Sequence, residues 1–376
     1  MEIICPKEIC TGCSLCSAQC PVSCISMRPN RMGHLFPEID QKRCIDCGLC
    51  QRKCPALTSI NAQMPFKSYA AWANDIEEYR TSTSGGVAAV LSNYIVGKSG
   101  VVYGCAMFPD AIVKHVRIER NADLYKLKGS KYVQSDIREI IPLLKEDVKK
   151  GRLVLFIGTP CQVAAIKNIY VNVPNNLFLV DIICHGTPSL LSLQKHVKHK
   201  VKAGKCDSLS FRNGCDIIIA INADGREVYR TNLFKERFKD VYLNAFFDGF
   251  TYRDACYTCA YAAPKRVSDL TIGDFWGLGA KAPADDIPPH EYGCSAILVN
   301  THRGSSLLAS VKESIELFER PVEECISGNE QLRHPKQQGP RIKAYRAMNK
   351  IVYAPWLYYV ANFDHVLKFK LRKQKK

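Results

Sequence analysis

The sequence predicts a small, cysteine-rich α+β module at the N-terminus, fused to a larger α/β body. Two observations predict this organisation. Ten of the 19 cysteines lie before residue 55, and most of them fall into two similar runs, residues 10–21 and 44–55. From about residue 65 onward, apolar β-branched runs alternate with Gly, Ser or Thr turns and with segments of helical periodicity. We therefore expect domains over residues 1–64 and 65–335, followed by a basic, aromatic C-terminal extension over residues 336–376.

Apart from its cysteines and its charge, the composition is that of an ordinary globular protein. Hydrophobic residues make up 47% of the 376 residues and charged residues 23%, so a disordered class is not indicated. The first ten residues, MEIICPKEIC, have neither the basic segment nor the apolar stretch of a signal peptide. The longest apolar region, residues 85–108, is interrupted by polar side chains. We expect a cytoplasmic protein that is not integral to a membrane and does not rely on disulfides.

The two cysteine runs share the spacing C-x2-C-x2-C-x3-C-P. In bacterial ferredoxins this spacing lets three cysteines of a run hold one 4Fe-4S cluster, while the fourth reaches the other cluster. The first cysteine set is therefore predicted to be Cys10, Cys13, Cys16 and Cys54, and the second cysteine set Cys20, Cys44, Cys47 and Cys50. Zinc is disfavoured, because two C-x2-C pairs already fill its tetrahedral shell. Cys5 and Cys24 lie outside the repeat and are interpreted as bystanders of a ferredoxin-like dicluster module.

Within the body, residues 152–184 predict a strand, a helix and a second strand. The strand LVLFIG is followed by Thr159 as a helix N-cap and by Pro160 at the first helical position. The short connection to LFLVDIIC implies a right-handed unit with two parallel strands. Both strands then end at the sheet edge where open α/β sheets bind ligands. A further strand over residues 295–300 and a helix over residues 305–319 are also expected.

Four cysteines of the body could act together, and we call Cys161, Cys184, Cys256 and Cys259 the body cysteine set. Cys161 lies at a predicted helix N-terminus, where the helix dipole favours a thiolate. Cys184 ends the neighbouring strand, and the other two form a C-x2-C. The set either holds a third 4Fe-4S cluster or consists of small buried residues, and spacing alone favours neither. The cysteines without such partners are expected to pack: Cys105, Cys206, Cys215, Cys294 and Cys325.

A redox body without a haem motif needs an organic cofactor, and a flavin converts between single electrons and two-electron chemistry. Three segments are candidates for holding it: TSTSGG at 81–86, KGSKYVQSD at 128–136 and DLTIGDFWGLG at 269–279. The first opens a helical stretch, so its backbone N–H groups suit a phosphate, although such turns also serve as helix caps. No G-x-G-x-x-G motif follows a strand, so an NAD-binding Rossmann site is not supported.

These motifs in this order resemble the beta subunits of coenzyme F420 hydrogenases and dehydrogenases, over about residues 70–335. The resemblance rests on TSTSGG, KGSKYVQSD, GTPCQVAAI at 158–166, the strand-end Cys184, and the C-x2-C followed by SDLTIGDFWG. It implies a flavin-binding α/β body with FAD beside a 4Fe-4S cluster, which the body cysteine set would hold. By motif, the FAD contacts would be Ser84, Gly85, Gly86, Lys131, Thr159 and Gln162.

Members of this family exchange a hydride with F420, or reduce an organic substrate with electrons from ferredoxin. The fused dicluster module favours electrons that arrive from a small carrier. The resemblance therefore implies an oxidoreductase that passes electrons from a ferredoxin-like carrier to FAD and on to F420 or another small organic acceptor, or the reverse. The alternative is a relay subunit that serves a catalytic partner subunit. The formal charge of +16 suits an acidic carrier, and no nucleic-acid-binding motif accompanies it.

Overall fold

The computed structural model describes residues 2–59, 61–349 and 351–374. Its N-terminal module contains α1 (Leu15–Ala18), β1 (Ile25–Pro29), β2 (Leu35–Ile39) and α2 (Leu49–Arg52). The two strands form an antiparallel hairpin. Each short helix carries the third cysteine of its run and follows a left-handed residue, Ser14 at φ 63° or Gly48 at φ 68°. The two runs therefore fold alike, as their repeated spacing predicts.

The body is built around one large mixed sheet and one small antiparallel sheet. Its strands are β3 (Lys67–Ala73), β4 (Val101–Phe108), β5 (Ile112–Ile118), β6 (Val154–Gly158), β7 (Leu177–Ile182), β8 (Cys206–Asn213), β9 (Asp216–Ala223), β10 (Arg226–Asn232), β11 (Leu270–Asp274), β12 (Ser295–Val299) and β13 (Ile315–Arg320). The large sheet has the order β13-β3-β12-β11-β7-β6-β4-β5, and the small one has the order β10-β9-β8. In the middle of the large sheet, β4, β6, β7 and β11 are parallel neighbours. Their carboxyl ends therefore share one edge.

Helices cover both faces of the large sheet. The helices that follow the N-terminal module are α3 (Ile76–Arg80), α4 (Val87–Gly97), α5 (Ile140–Lys149), α6 (Pro160–Lys167), α7 (Leu190–Val201), α8 (Val241–Phe247), α9 (His302–Ala309), α10 (Val322–Gly328), α11 (Pro340–Met348), α12 (Pro355–Ala361) and α13 (Phe363–Gln374). Of these, α4, α9 and α10 pack on one face of the large sheet, and α5 and α6 on the other. Short 3-10 helices lie at Pro109–Ala111, Asn121–Leu127, Asp254–Thr258, Lys312–Ser314 and Glu330–Leu332. On β6, Val154 and Phe156 pack against α5 and α6, whereas Leu155 faces the core of α4, α9 and α10. This is the period-2 alternation of a strand that is buried on both faces.

The predicted strand, helix and strand over residues 152–184 are confirmed. The helix α6 begins after Thr159, whose side chain forms a capping box with Gln162, and Pro160 occupies the first helical turn. The strands β6 and β7 pair in parallel, with Ile157 opposite Val180. The predicted strand near residues 295–300 is confirmed as β12.

The predicted helix over residues 305–319 is wrong in its second half. The helix α9 ends at Ala309, and residues Ile315–Arg320 form β13, which pairs antiparallel with β3. Apolar residues at Leu307, Leu308, Val311 and Ile315 also fit a helical period, and no Gly or Pro separates the two elements. Pairing with the free edge of β3 decides the outcome, and that is a contact between residues far apart in the chain.

Two features of the body were not predicted. One is the small sheet β8-β9-β10, whose inner face packs on α7 and α8. The other is the packing of the C-terminal extension, where Ile342, Tyr345 and Leu357 share a core with Phe246 and Phe250. The predicted boundary at residue 335 remains a prediction, because these contacts join both sides of it. In the described part of the chain, no helix is long and apolar enough to cross a membrane.

A buried ion pair anchors the loop that follows β11. Arg320 and Glu324 form two hydrogen bonds of 2.7 and 3.0 Å, and the Glu324 carboxylate also accepts from the backbone N–H groups of Gly279 and Lys281. Burial alone would raise the pKa of Glu324, but the Arg320 guanidinium and the backbone donors hold that pKa below its usual value. The pair therefore stabilises the fold at neutral pH.

We expect Glu324→Ala to lower the free energy of unfolding by about 3 kcal/mol at pH 7, because it leaves the Arg320 charge buried and unpaired. A carboxyl whose pKa is depressed contributes above its unfolded pKa of about 4.3, so the difference from wild type should shrink as the pH falls below that value. Urea unfolding followed by circular dichroism would measure both effects. The exposed neighbour Glu323→Ala should change stability by less than about 0.5 kcal/mol, and an equal loss in both variants would contradict the assignment.

Candidate functional site

The first cysteine set surrounds one pocket of the N-terminal module. The lining of this pocket includes Cys10, Cys13, Cys16 and Cys54, and the remaining walls come from Ile4, Cys5, Met27, Pro37, Pro55 and the loop at 11–15. All four thiols are free. The structure therefore brings Cys54, from the second run, to the three cysteines of the first run. Four thiols around one pocket fit the donor set of a 4Fe-4S cluster, and ligation by these four residues stays a prediction.

Members of the second cysteine set also lie near one another in the module. Cys50 interacts electrostatically with Cys47 and Cys20, so the fourth cysteine of the first run lies beside the second run. Cys20, Cys44 and Cys50 also pack against the small core of Ile4, Cys24 and Ile25. The exchange of Cys20 and Cys54 between the runs is thus compatible with the fold.

Cys5 and Cys24 are in contact with predicted ligands, which their interpretation as bystanders did not anticipate. The Cys5 thiol lies close to Cys10 and Cys54, and Cys5 lines the same pocket. The sulfur of Cys24 lies 3.4 Å from the sulfur of Cys20, and the Cys24 backbone N–H donates to that sulfur. No spacing rule signals these contacts: Cys5 meets Cys54 from the far end of the module, whereas Cys24 lies only four residues after Cys20.

The body cysteine set converges at the carboxyl edge of the parallel strands. Cys161 lies in the first turn of α6, Cys184 follows β7, and the C-x2-C lies in and after the 3-10 helix Asp254–Thr258. Burial raises the pKa of the Cys184 thiol to about 12, and the nearby Cys256 and Cys259 contribute to that rise. The pKa of Cys161 is likewise raised by burial and by the other three thiols.

Such a set of mutually close, partly buried thiols would be stabilised if iron replaced the protons, since a metal-bound thiol is deprotonated. Two hydroxyls point at it: Thr159 Oγ1 lies 3.2 Å from the Cys161 sulfur and Thr187 Oγ1 lies 4.0 Å from the Cys256 sulfur. Among the described residues, no three His, Cys, Asp or Glu side chains are arranged to hold a single metal ion. Four thiols match the number and type of donors that a 4Fe-4S cluster takes, and ligation by this set stays a prediction.

Thr159 and Gln162, two predicted FAD contacts, form a buried network beside this set. The Gln162 carbonyl accepts from Thr159 N–H at 3.0 Å, and its amide donates to the backbone and hydroxyl oxygens of Ser135 at 3.0 Å. Ser135 in turn bonds the ring of His115. In the structure Gln162 thus uses its polar atoms to fix the N-terminus of α6, which carries Cys161.

The TSTSGG segment is fixed between β3 and β12 at the same edge. Ser84 donates to the Cys294 carbonyl at 3.1 Å and accepts from Ser295 at 3.0 Å. A Cβ on Gly85 would lie 2.0 Å from the Ala71 carbonyl oxygen, so only glycine fits there. Gly86 has φ +80° and precedes the first residue of α4. The turn therefore caps α4 and also packs its backbone directly against that of β3.

The KGSKYVQSD segment lies against this turn. Ser130 donates to Thr83 at 3.3 Å, and Lys128 contacts both Thr81 and Glu78. Lys131 donates to the carbonyls of residues 127 and 128, and burial lowers its pKa to about 8. The two motifs named from sequence are therefore neighbours in space.

Arg212, on β8, joins all three predicted flavin segments, and no motif in the sequence indicates it. Its guanidinium donates to the Thr83 carbonyl at 2.9 Å, to Asp274 at 3.0 Å and to the Tyr132 hydroxyl at 3.3 Å. A single arginine on a strand has no sequence signature, since its partners come from three distant segments.

Comparison with family models matches two parts of the chain. Residues 151–324 match the model for the C-terminal part of the beta subunit of coenzyme F420 hydrogenase/dehydrogenase, and residues 9–57 match a 4Fe-4S dicluster domain. The two ranges contain all twelve cysteines of the three sets. A search of curated proteins gave no match.

Among solved structures, the chain is similar to one in the F420-reducing NiFe hydrogenase complex from Methanosarcina barkeri. Sequence identity is 18%, the alignment covers 72% of this chain and 91% of that chain, and the TM-score is 0.46. The resemblance seen in the sequence is confirmed by the family models. Residues 151–324 thus match the C-terminal domain of the coenzyme F420 hydrogenase/dehydrogenase beta subunit, which is an oxidoreductase family, and residues 9–57 match a 4Fe-4S dicluster domain in front of it.

Proposed function

We propose that this chain is an iron-sulfur flavoprotein oxidoreductase. It would exchange electrons between an acidic, ferredoxin-like carrier and F420 or another small organic acceptor. The proposal is supported most by the hydrogen bonds that link the loop of the first cysteine set to the helix of Cys161, and that link the predicted flavin segments to one another. The 4Fe-4S clusters would supply single-electron transfer and FAD would supply two-electron chemistry with the acceptor.

Two adjacent residues connect the module to the body along this path. Gln134 donates to the Thr11 carbonyl at 2.8 Å, in the loop of the first cysteine set. Its neighbour Ser135 accepts from Gln162, in the helix that carries Cys161. The loop of the first set and the helix of the body set are therefore tied to the same short segment.

A second short connection leads from the body set to the predicted flavin segments. His185 follows Cys184 directly and is largely buried, so its pKa is lowered by burial, while Asp274 opposes that shift. Asp274 bonds Arg212, which holds the Thr83 carbonyl. An FAD held by Ser84, Gly85, Gly86 and Lys131 would thus lie beside the body cysteine set, as electron transfer between them requires.

Anaerobic stopped-flow spectroscopy tests the proposal. Reduced ferredoxin should bleach the flavin of the reconstituted holoprotein, and F420 or one of a panel of small organic acceptors should then restore it. Raising the salt concentration should slow the first step, because the basic chain would attract an acidic carrier. A protein that retains no flavin would refute the proposal. Flavin that is reduced but reoxidised by no acceptor would favour a relay subunit that needs a catalytic partner.

Iron content tests the body cysteine set. We expect wild type to hold about twelve irons per chain and Cys184→Ala about eight, because one of three 4Fe-4S clusters loses a ligand. Cys325→Ala removes a buried thiol that belongs to none of the three sets, and it should retain about twelve. Equal iron in the Cys184→Ala protein and wild type would contradict a cluster at this site.

Flavin content tests the junction at Arg212. We expect Arg212→Met to lose most of its bound FAD, since the Thr83 turn and Asp274 would no longer be held together. The matched control is Arg230→Met, on the small sheet, where the arginine is exposed and forms an ion pair with Glu227. Flavin absorbance after gel filtration, normalised to protein, measures the effect. If the Arg212→Met protein kept the FAD content of wild type, Arg212 would have no role in FAD binding.

A further inference from the structure

Arg253 is the largest fully buried side chain among the described residues, with 1% of its surface exposed. It lies just before the 3-10 helix Asp254–Thr258, and its carbonyl accepts from the Cys256 N–H at 3.0 Å. None of the motifs read from the sequence includes it. A buried guanidinium is costly unless its charge is compensated, so its surroundings must supply that compensation.

The hydrogen-bond partners of Arg253 are neutral groups. Its guanidinium donates to the Leu35 carbonyl at 2.9 Å, to the Gln134 side-chain carbonyl at 3.0 and 3.1 Å, and to the Cys10 carbonyl at 3.4 Å. It also stacks on Phe36, with 4.7 Å to the ring centroid. Within residues 2–59, 61–349 and 351–374, no carboxylate forms an ion pair with it, whereas the buried Arg266 is paired with Asp181.

Cysteines of two different sets lie near Arg253. Its electrostatic partners are Cys10 and Cys13 of the first set and Cys256 and Cys161 of the body set. The guanidinium therefore lies between the first pocket and the body set, and thiolate-bound clusters there would compensate its charge.

The loop of the first cysteine set is shaped around this guanidinium. Gly12 has φ +65°, and a Cβ at that position would lie 2.4 Å from Nη2 of Arg253. The absence of a side chain at Gly12 lets the charge approach the loop between Cys10 and Cys13. Gln134 completes the arrangement, because it accepts from Arg253 and donates to the Thr11 carbonyl.

We infer that Arg253 is a shared positioning residue for the first and body clusters. Its guanidinium fixes the loops of the two cysteine sets relative to each other, and its charge stabilises the added electron on either cluster. In each transfer, the one electron that leaves one cluster is gained by the other. Because the cation lies between the two clusters, it lowers the free energy of the reduced state of each. This inference rests on the proposed function, because it requires clusters on both sets.

Redox titration of the holoprotein, monitored by electron paramagnetic resonance, tests the inference. In Arg253→Gln we expect the first and body clusters to become harder to reduce, by about tenfold in the equilibrium constant or about 59 mV for one electron. The second cluster serves as an internal control and should not shift. Arg253→Lys keeps the charge and should recover most of the two potentials.

The matched control is Arg346→Gln. Arg346 also lies near the body set, over the ring of Tyr257, but it bonds Asp254 and the Tyr252 carbonyl. Loss of a paired charge should leave all three potentials unchanged. Iron content of wild type is measured first: fewer than about twelve irons would refute the proposed function itself. With three clusters present, unchanged potentials in Arg253→Gln, or equal shifts in Arg346→Gln, would overturn the role of Arg253.

A second variant covers the case in which Arg253→Gln does not fold. Gly12→Ala keeps every charge but places a Cβ where the guanidinium lies, so the side chain of Arg253 must move. Gly12 belongs to the loop of the first set, yet the inference expects the potential of the body cluster to fall as well. A body-cluster potential equal to that of wild type would overturn it.

Discussion

The three parallel strands β6, β7 and β11 are hydrogen-bonded neighbours, so their carboxyl ends must lie side by side. Residues at the ends of these strands are thereby brought together without any need for proximity in sequence. Cys161 comes after β6, Cys184 after β7, and Asp274 ends β11. The strand β12 then starts at the same edge, because it runs antiparallel to β11, and it presents Ser295 to the TSTSGG turn. Both the candidate cluster and the candidate flavin segments depend on this one pairing pattern.

The helix α6 transmits this arrangement to the N-terminal module. Its first turn carries Cys161, and its C-cap, Asn168, donates to the Thr58 hydroxyl at 2.6 Å and to the Lys53 carbonyl at 3.3 Å. Lys53 precedes Cys54 of the first cysteine set, and its ammonium bonds the Ile169 carbonyl. An eight-residue helix is about 12 Å long, so the module is held within a short distance of the body set. Rigid docking of this kind suits electron transfer better than a flexible linker would.

Features determined by local spacing could be predicted from the sequence. The cysteine runs, the Thr159 cap with Pro160, and the pair of parallel strands all follow from spacing within a few residues, and the structure brings the predicted cysteines of each set together. Features that depend on contacts between distant segments could not be predicted from the sequence. β13 was predicted as helix because its pairing with β3 is a long-range contact, and the role of Arg212 depends on three segments that meet only in the fold. The contacts of Cys5 with the first set were missed for the same reason.

The positive net charge of the chain has an explanation besides the attraction of an acidic carrier: it would balance the negative charge of buried clusters. The formal charge of +16 counts every cysteine as neutral, although ligands of a 4Fe-4S cluster are thiolates and each cluster with its four thiolates is anionic. Arg253 is the clearest case of a cation placed to balance such charge, since it is buried between two cysteine sets and has no carboxylate partner within the described residues. An excess of Lys and Arg is therefore what a chain needs if it is to bury anionic clusters, and only the remainder is free to attract an acidic partner. The two roles of the positive residues can be distinguished by exposure: buried arginines balance the charge of internal clusters, and exposed ones can attract an acidic partner.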